Sequence, residues 1–360
     1  MMERALAARV TAAVTGTGSY LPPDSIDNFQ LLGMGTLRES FDVGQARSAL
    51  RGVEGANGLS APEVFDQWAY QLTGIRSRRR IPPESDLTTE DMCARAGLAA
   101  LEAAGREPDE IDQLYVATVS PSDEVPNSAC TVATKIGNPR LGGFAINAAC
   151  AGFVYGVGAA WSAIVSGMAE RVLVVSGDAL TRLVDYTDVR TAVLFGDGAG
   201  AVVLERSETD HGVLGPMAAS GWFARDPLYL VGQSWRDDRD RIPILHMEGG
   251  PRIVRNAIVK MAEVGDQALQ KAGLDWSHVD FVIPHQANAR ITQGLEQRLE
   301  LPKGRVVHNI VDYGNMSAST VAVTLDEVVR GKHGPVPDPA TIVLTSIGGG
   351  YTMAAAVVRI

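Results

Sequence analysis

Cysteine is scarce in this chain of 360 residues, and the three that occur, Cys93, Cys130 and Cys150, share no paired spacing. That gives neither a disulfide framework nor a zinc site, and a reducing, cytoplasmic setting is expected. Long apolar runs are missing as well. No stretch approaches the ~20 apolar residues needed to span a bilayer. The opening Met1 to Ala13 carries acidic Glu3 and lacks the unbroken apolar core of a signal peptide. Lysine is nearly absent, 5 against 27 arginines, and the net charge is −10. That net charge argues against nucleic acid or an anionic membrane as the main partner.

What is present concentrates at three places. The first is Cys150, in the run Ile146-Asn147-Ala148-Ala149-Cys150-Ala151-Gly152-Phe153, where a strand-like stretch stops and a long small-residue helix begins. Unpaired N–H groups and the positive end of the macrodipole at a helix start favour S⁻ over SH, so a thiolate nucleophile is expected. The second is His285, which follows Pro284 at the end of a strand, where a side chain projects from an abrupt turn. The third is Asn315, in Tyr313-Gly314-Asn315-Met316-Ser317-Ala318-Ser319. Cys93 and Cys130 fall inside alanine-rich helical patterns and are read as packing residues.

Two glycine clusters, Gly196-Asp197-Gly198-Ala199-Gly200 and Gly348-Gly349-Gly350, do not qualify as dinucleotide loops. Strand-like runs follow them, where a nucleotide fingerprint opens a helix. The basic run Arg76-Ser77-Arg78-Arg79-Arg80 has two open readings, a solvated loop or a landing place for phosphate or an acidic protein.

The chain also repeats itself. Ala100-Leu101-Glu102-Ala103-Ala104-Gly105 followed by Ile111 to Val116 returns 168 positions later as Ala268-Leu269-Gln270-Lys271-Ala272-Gly273 followed by Val279 to Ile283. Each copy is a helix stopped by glycine, a short loop and an apolar strand. Alternating helices and buried-looking strands predict layered α/β architecture in two similar halves, meeting near Glu205 to Gly212. The same offset sets Asn147, beside Cys150, opposite Asn315.

Taken together, Ala149-Cys150-Ala151-Gly152-Phe153, His285-Gln286-Ala287-Asn288 and Gly314-Asn315-Met316-Ser317-Ala318 resemble the β-ketoacyl-acyl-carrier-protein synthase III (FabH-like) family of the thiolase superfamily. Gly16-Thr17-Gly18-Ser19-Tyr20-Leu21-Pro22 and Thr73-Gly74-Ile75-Arg76 extend the resemblance towards the N-terminus. It implies a duplicated thiolase-like five-layer αβαβα fold, with residues 1–207 carrying the nucleophile and 208–360 carrying the histidine and asparagine. A segment of roughly residues 27–62 is longer than the family needs and reads as an inserted loop with some helix.

The resemblance also implies a chemistry. Cys150 attacks a thioester, and the N–H groups of Cys150 and Gly349 form the oxyanion hole. A malonyl-type thioester then loses CO₂, and His285 Nε2–H with the Asn315 amide donates to the enolate oxygen. No metal or cofactor is required. An acyltransferase passing the acyl group to a hydroxyl, amine or other carbon nucleophile is the alternative, with His285 as general base. Expected partners are an acyl-CoA or acyl-carrier-protein donor, the carrier protein itself and a second copy of the chain. The implied substrate residues are Trp68, Val125 and Asn288, with Arg290 for carrier docking. Two positions depart from the family: arginines that hold CoA fall on Leu72 and Val189, which favours a carrier-bound donor. Valine at 125, smaller than the aromatic residue of acetyl-primed members, implies a longer or branched acyl group.

Overall fold

A computed structural model of the chain describes residues 10–53, 55, 58–221, 228–230, 244–247 and 250–360. Five strands form the first sheet: β1 (Thr11–Tyr20), β2 (Gln113–Ala117), β3 (Gly142–Ile146), β4 (Arg171–Ala179) and β5 (Asp197–Ser207), in the order β1-β5-β4-β2-β3. Strands β3, β2 and β4 run parallel, and β5 is antiparallel to both β4 and β1. The second sheet contains β6 (Gly212–Val213), β7 (Ala218–Gly221), β8 (Phe281–Pro284), β9 (Thr341–Ile347) and β10 (Thr352–Arg359). Here β8 and β9 are parallel, and β10 pairs antiparallel with β9, β6 and β7.

The repeated sequence explains the likeness of the sheets. Ile111 to Val116 leads into β2 and Val279 to Ile283 into β8, each paired in parallel with the strand of its half that precedes an antiparallel return. The halves diverge at the first sheet's edge strand. Shifted by 168, β3 falls on Ile310–Tyr313, which is a helical turn.

Ten helices complete what positions the site. Four lie near the N-terminus: α1 (Asn28–Leu32), α2 (Leu37–Ser40), α3 (Val43–Ala49) and α4 (Ala61–Thr73). The others are α5 (Thr89–Ala104), α6 (Ser128–Lys135), α7 (Gly152–Val165), α8 (Gly250–Ala272), α9 (Ala289–Leu299) and α10 (Ser319–Val329). Thr88 caps α5 by accepting from the Asp91 N–H, and Gly105 ends it at φ 64°. Gly273 closes the equivalent helix α8 at φ 74°.

Three apolar clusters define the layers. Leu101, Ala129 and Val132 of α5 and α6 pack on Leu114, Leu173 and Val203 of the first sheet. Phe153 and Val157 of α7, with Val321 and Leu325 of α10, lie between the sheets, touching Val174 and Leu204 on one side and Ile283 and Leu344 on the other. Met261 and Leu269 of α8 and Leu295 of α9 cover the far face of the second sheet at Val282 and Val343. The order is therefore α, β, α, β, α. Gly16 and Gly18 serve this layering: a Cβ on Gly16 would stand 2.3 Å from Ala100 O, and one on Gly18 2.4 Å from Ala100 N, both on α5. Backbone contact, rather than a ligand, accounts for that glycine pair.

A fourth cluster holds the N-terminal helices. Leu31, Leu37, Phe41 and Leu50 pack with Phe65 of α4 and with Leu180 and Val193. Most of segment 27–62 is thus a helical layer with its own apolar interior. Arg78 fastens it, donating to Ile26 O at 3.2 Å, Asn28 Oδ1 at 2.8 Å and Val193 O at 3.1 Å. Among the described residues, no helix is long and apolar enough to cross a membrane.

Candidate active site

Cys150 lies between the end of β3 and the start of α7, and the turn carrying it is strained. Ala149 adopts φ 48°, a left-handed conformation that L-residues rarely take, and the helix proper begins only at Gly152. Ser317, 168 residues on, takes φ 54° before α10, and Tyr351 takes φ 55° after the glycine triplet. Three of the four non-glycine residues with positive φ among the described residues therefore sit in the turns next to Cys150, Asn315 and the glycine triplet. Nothing in the local sequence beyond small residues signals this strain.

The turns converge. Cys150, His285, Asn315, Gly348 and Gly349 line one cavity of about 80 Å³, whose remaining walls include Phe195, Ile253, Met261, Ile291 and Ile347. Gly348 stands where a Cβ would be 2.8 Å from Cys150 N, so the glycine triplet closes directly on the Cys150 backbone. Gly349 opens a 3₁₀ turn, a position whose N–H has no partner within the turn. Ser346 Oγ donates to Cys150 O at 2.6 Å and ties the two turns together.

The Cys150 side chain is not the resting thiolate the sequence suggests. Burial pushes its thiol up to about 12, against the donation from Ser317 Oγ at 3.6 Å and that of the Cys150 backbone N–H. Moving a thiol from its usual range near 9 to about 12 corresponds to roughly 4 kcal/mol. A helix start supplies only ~0.3–2 kcal/mol the other way. The resting group is SH and needs a base.

His285 is buried at the end of β8, its N–H bonded to Thr345 O at 2.8 Å. Burial lowers its pKa to about 4, so the ring is neutral. Nδ1 lies 2.8 Å from Thr320 Oγ1, and that hydroxyl donates to Ser317 O at 2.9 Å. The pattern assigns the ring proton to Nδ1 and leaves Nε2 as an acceptor.

Asn315 is oriented by its own turn. Its Oδ1 accepts the Ser317 N–H at 2.9 Å, which fixes the amide flip and leaves Nδ2 without a partner among the described residues. Two backbone bonds hold it to the first half: Asn315 N to Leu194 O at 2.9 Å, and Gly196 N to Asn315 O at 3.0 Å. This explains the Phe195-Gly196 glycine, since a Cβ at Gly196 would meet Tyr313 O at 2.1 Å.

Other expected site residues lie outside this cavity. The Trp68 indole packs against Phe41 of the inserted segment, with centroids 5.4 Å apart, and against Phe65 at 6.1 Å. Asn288 caps α9: its Oδ1 accepts the Arg290 N–H at 2.9 Å and its Nδ2 donates to Leu72 O at 2.9 Å. Arg290 donates to Gln71 O at 2.7 Å and lines a separate, open cleft with Lys303 and His308. Val125 is 87% exposed. The basic run is not a solvated loop: Ser77–Arg79 form a short strand, Arg76 pairs with Asp66, Arg78 is buried and Arg80 pairs with Asp24 at 3.0 Å. Cys93 is buried as expected, but Cys130 is exposed, on the outer face of α6.

Sequence reasoning missed Asp178. It is fully buried at the end of β4, and its Oδ1 receives Thr118 Oγ1, Val119 N, Ser120 N and Ser120 Oγ at 2.8 to 3.2 Å. Burial outweighs these bonds and raises its pKa to about 6. Ser317, which donates to Cys150, also reaches this carboxyl.

A cysteine, a histidine and an asparagine brought to one cavity by an α, β, α, β, α fold are the arrangement of a thiolase-fold acyltransferase. Sequence models of 3-oxoacyl-[acyl-carrier-protein] synthase III match residues 144–220, and those of its C-terminal part match 269–360. The β-ketoacyl-[acyl-carrier-protein] synthase III of Cereibacter sphaeroides is 37% identical over 355 residues, covering 97% of this chain and 99% of that protein. The chain belongs to the β-ketoacyl-acyl-carrier-protein synthase III family and is a condensing enzyme of the acyltransferase class. The Xanthomonas campestris synthase III is similar at 36% identity, over 98% of this chain and 99% of its own. Among solved structures, the synthase III of Aquifex aeolicus superposes with a TM-score of 0.81 at 33% identity, over 97% of this chain and all of that one. The priming β-ketosynthase of the R1128 polyketide pathway gives 0.81 at 30% identity, over 97% and 96%.

Proposed function

We propose that this enzyme loads an acyl group from a carrier-protein-bound donor onto Cys150 and joins it to a malonyl-type thioester with loss of CO₂, in a specialised fatty-acid or polyketide pathway of the cytoplasm. The observation that carries the reading is the convergence of Cys150, His285 and Asn315 on one cavity, with the Asn315 Nδ2 free to donate. Cys150 attacks the thioester carbonyl, the N–H groups of Cys150 and Gly349 receive the oxyanion, and the donor thiol leaves. Decarboxylation of the malonyl thioester gives an enolate held by Asn315 and His285. Its carbon attacks the acyl-enzyme and releases a β-ketoacyl thioester and free Cys150.

The donor assignment rests on the surface around Trp68. Where the family stacks adenine and holds CoA through arginines, this chain has Trp68, Leu72 and Val189 in one apolar cluster with Phe41. A carrier-bound phosphopantetheine needs no adenine site. Arg290, beside the cleft near Lys303, supports carrier docking. The exposed Val125, together with Phe144 at 45% exposure on edge strand β3, supports pairing with a second copy whose acyl cavity Val125 would cap. A small residue there favours acyl groups longer than acetyl.

A second reading has an observation of its own. An unprotonated Nε2 suits a base that activates a hydroxyl or amine, and such an acyl transfer releases no CO₂. The test is incubation with acyl and malonyl carrier proteins, following CO₂ and the intact mass. The proposal expects an adduct on wild type but not on Cys150→Ala, greater from carrier than from CoA donors, with CO₂ evolved. An adduct without CO₂ would assign acyl transfer instead. No adduct would sink both readings.

A further inference from the structure

His285 has two opposite tasks if the condensing reading above holds, on which this inference rests. Loading requires a base for the Cys150 thiol, and condensation requires a donor for the enolate oxygen. The groups around the ring show how one tautomer can serve both.

The Thr320 hydroxyl has a single proton. Its neighbours are Ser317 O at 2.9 Å, His285 Nδ1 at 2.8 Å and the Gln286 N–H at 3.4 Å. Gln286 N–H can only donate to it, and Ser317 O can only accept from it. With the hydroxyl proton on Ser317 O, the remaining close contact is satisfied only when Nδ1 carries hydrogen and donates. The reverse arrangement sets two lone pairs against each other between Thr320 Oγ1 and Ser317 O. The left-handed turn at Ser317 sets its carbonyl among these groups, and Ser317 O also acts as an acceptor for the ring, opposing the effect of burial on the pKa. Thr320 is buried, and Thr324 Oγ1 donates to Thr320 O at 2.6 Å.

We propose that Thr320, with the Ser317 carbonyl, is a positioning residue that holds His285 as the Nδ1–H tautomer, so that Nε2 takes the Cys150 proton during loading and keeps it as a donor through condensation. The balance closes. Loading moves the thiol proton to Nε2, forms the S–acyl bond and breaks the donor C–S bond, and the departing thiolate takes a proton from solvent. The malonyl carboxylate leaves as CO₂, and its bonding pair becomes the enolate, which faces Nε2–H and Asn315 Nδ2. Attack on the acyl-enzyme forms the C–C bond and expels Cys150 as thiolate. That thiolate recovers the proton from Nε2, and the resting state returns. The imidazolium gains a counter-charge when the malonyl carboxylate enters, and keeps one as that charge passes to the enolate and then to the Cys150 thiolate.

The test combines a spectroscopic and a kinetic readout on the full chain. Nitrogen-15 NMR of histidine-labelled protein, with His285→Gln to assign the ring, should give a protonated Nδ1 and an unprotonated Nε2 at rest. Thr320→Val removes the hydroxyl and sets a methyl against Nδ1, and should slow single-turnover loading roughly 10–100-fold, as ring misplacement does. Thr320→Ser restores the hydroxyl and should load within about threefold of wild type, well inside the effect of losing a positioned base. An Nε2–H resting tautomer, or a folded Thr320→Val protein that loads at the wild-type rate, overturns the proposal. If Thr320→Val does not fold, the wild-type tautomer still decides. Wild type that loads and shows Nδ1–H but releases no CO₂ would refute the condensing reading and leave the Thr320 assignment standing.

Discussion

Replacing Gly348 by alanine probes the closeness of the two catalytic turns. Gly348 has ordinary extended backbone, φ −118° and ψ 176°, so a methyl adds no torsional strain. Its cost is purely steric. The new Cβ would lie 2.8 Å from Cys150 N, 2.8 Å from Ala149 Cβ and 3.0 Å from Ala148 O. All three belong to the nucleophile turn, and none is the end of a side chain that can rotate away. Restoring van der Waals distance requires the turns to separate by roughly half an ångström or more. Overpacking of this kind costs about 1–3 kcal/mol, and displacement of a nucleophile by about 1 Å costs about 100-fold in rate. Gly273→Ala is the control, because its φ of 74° makes alanine strained by about 1–2 kcal/mol although nothing lies within 4 Å. Thermal denaturation should show comparable losses of stability for the two variants. Single-turnover loading by intact mass should fall some 30–100-fold for Gly348→Ala only. Loading of Gly348→Ala within about threefold of wild type would show that the glycine triplet does not set the nucleophile's position.

Three further outcomes follow from the same site. Asn315→Ala should still acylate Cys150 but lose CO₂ release by about 10²–10³-fold, since only the enolate needs that donor; equal loss in both half-reactions would remove its assigned role. With His285 held at about 4, the acid limb of the loading rate should lie near that value, and an inflexion near the usual ~6.5 would show an exposed ring. The same shift has a stability consequence: the unfolded chain takes up a proton below ~6.5 that the folded protein refuses until about 4, so His285 makes stability fall as pH drops through that window. Asp178 acts in the opposite sense. Its folded carboxyl keeps a proton up to about 6 that the unfolded chain has released, so this contribution is lost as pH rises from ~4 through 6. Asp178→Asn should therefore be more stable relative to wild type at pH 8 than at pH 4, by denaturant midpoint, and an effect independent of pH would place no titration at that residue.

The parts of the site legible in the sequence are those marked by their own neighbours. Cys150 at a strand-to-helix boundary, His285 behind a proline and Asn315 behind a glycine each announce a turn, and the 168-residue offset shows that two of the turns are equivalent. The layers were legible for the same reason, because helix-stop-strand units recur. What could not be read is the charge state. A thiol at a helix start reads as a thiolate only while solvent is assumed on its other side, and here the second half of the chain, through Ser317 and Ser346, removes that solvent. The partner of the histidine's Nδ1 is likewise Thr320, 35 residues away on a helix of the same half. Trp68 is packed by Phe41, from a segment whose Gly, Ser and Leu content suggests only a loop with some helix. In each case the electrical or steric state of the residue is set by a group remote in sequence. Protonation at this site is therefore a property of the packed halves together, and the proton that Cys150 gives up has one neutral, oriented acceptor ring within the cavity to receive it.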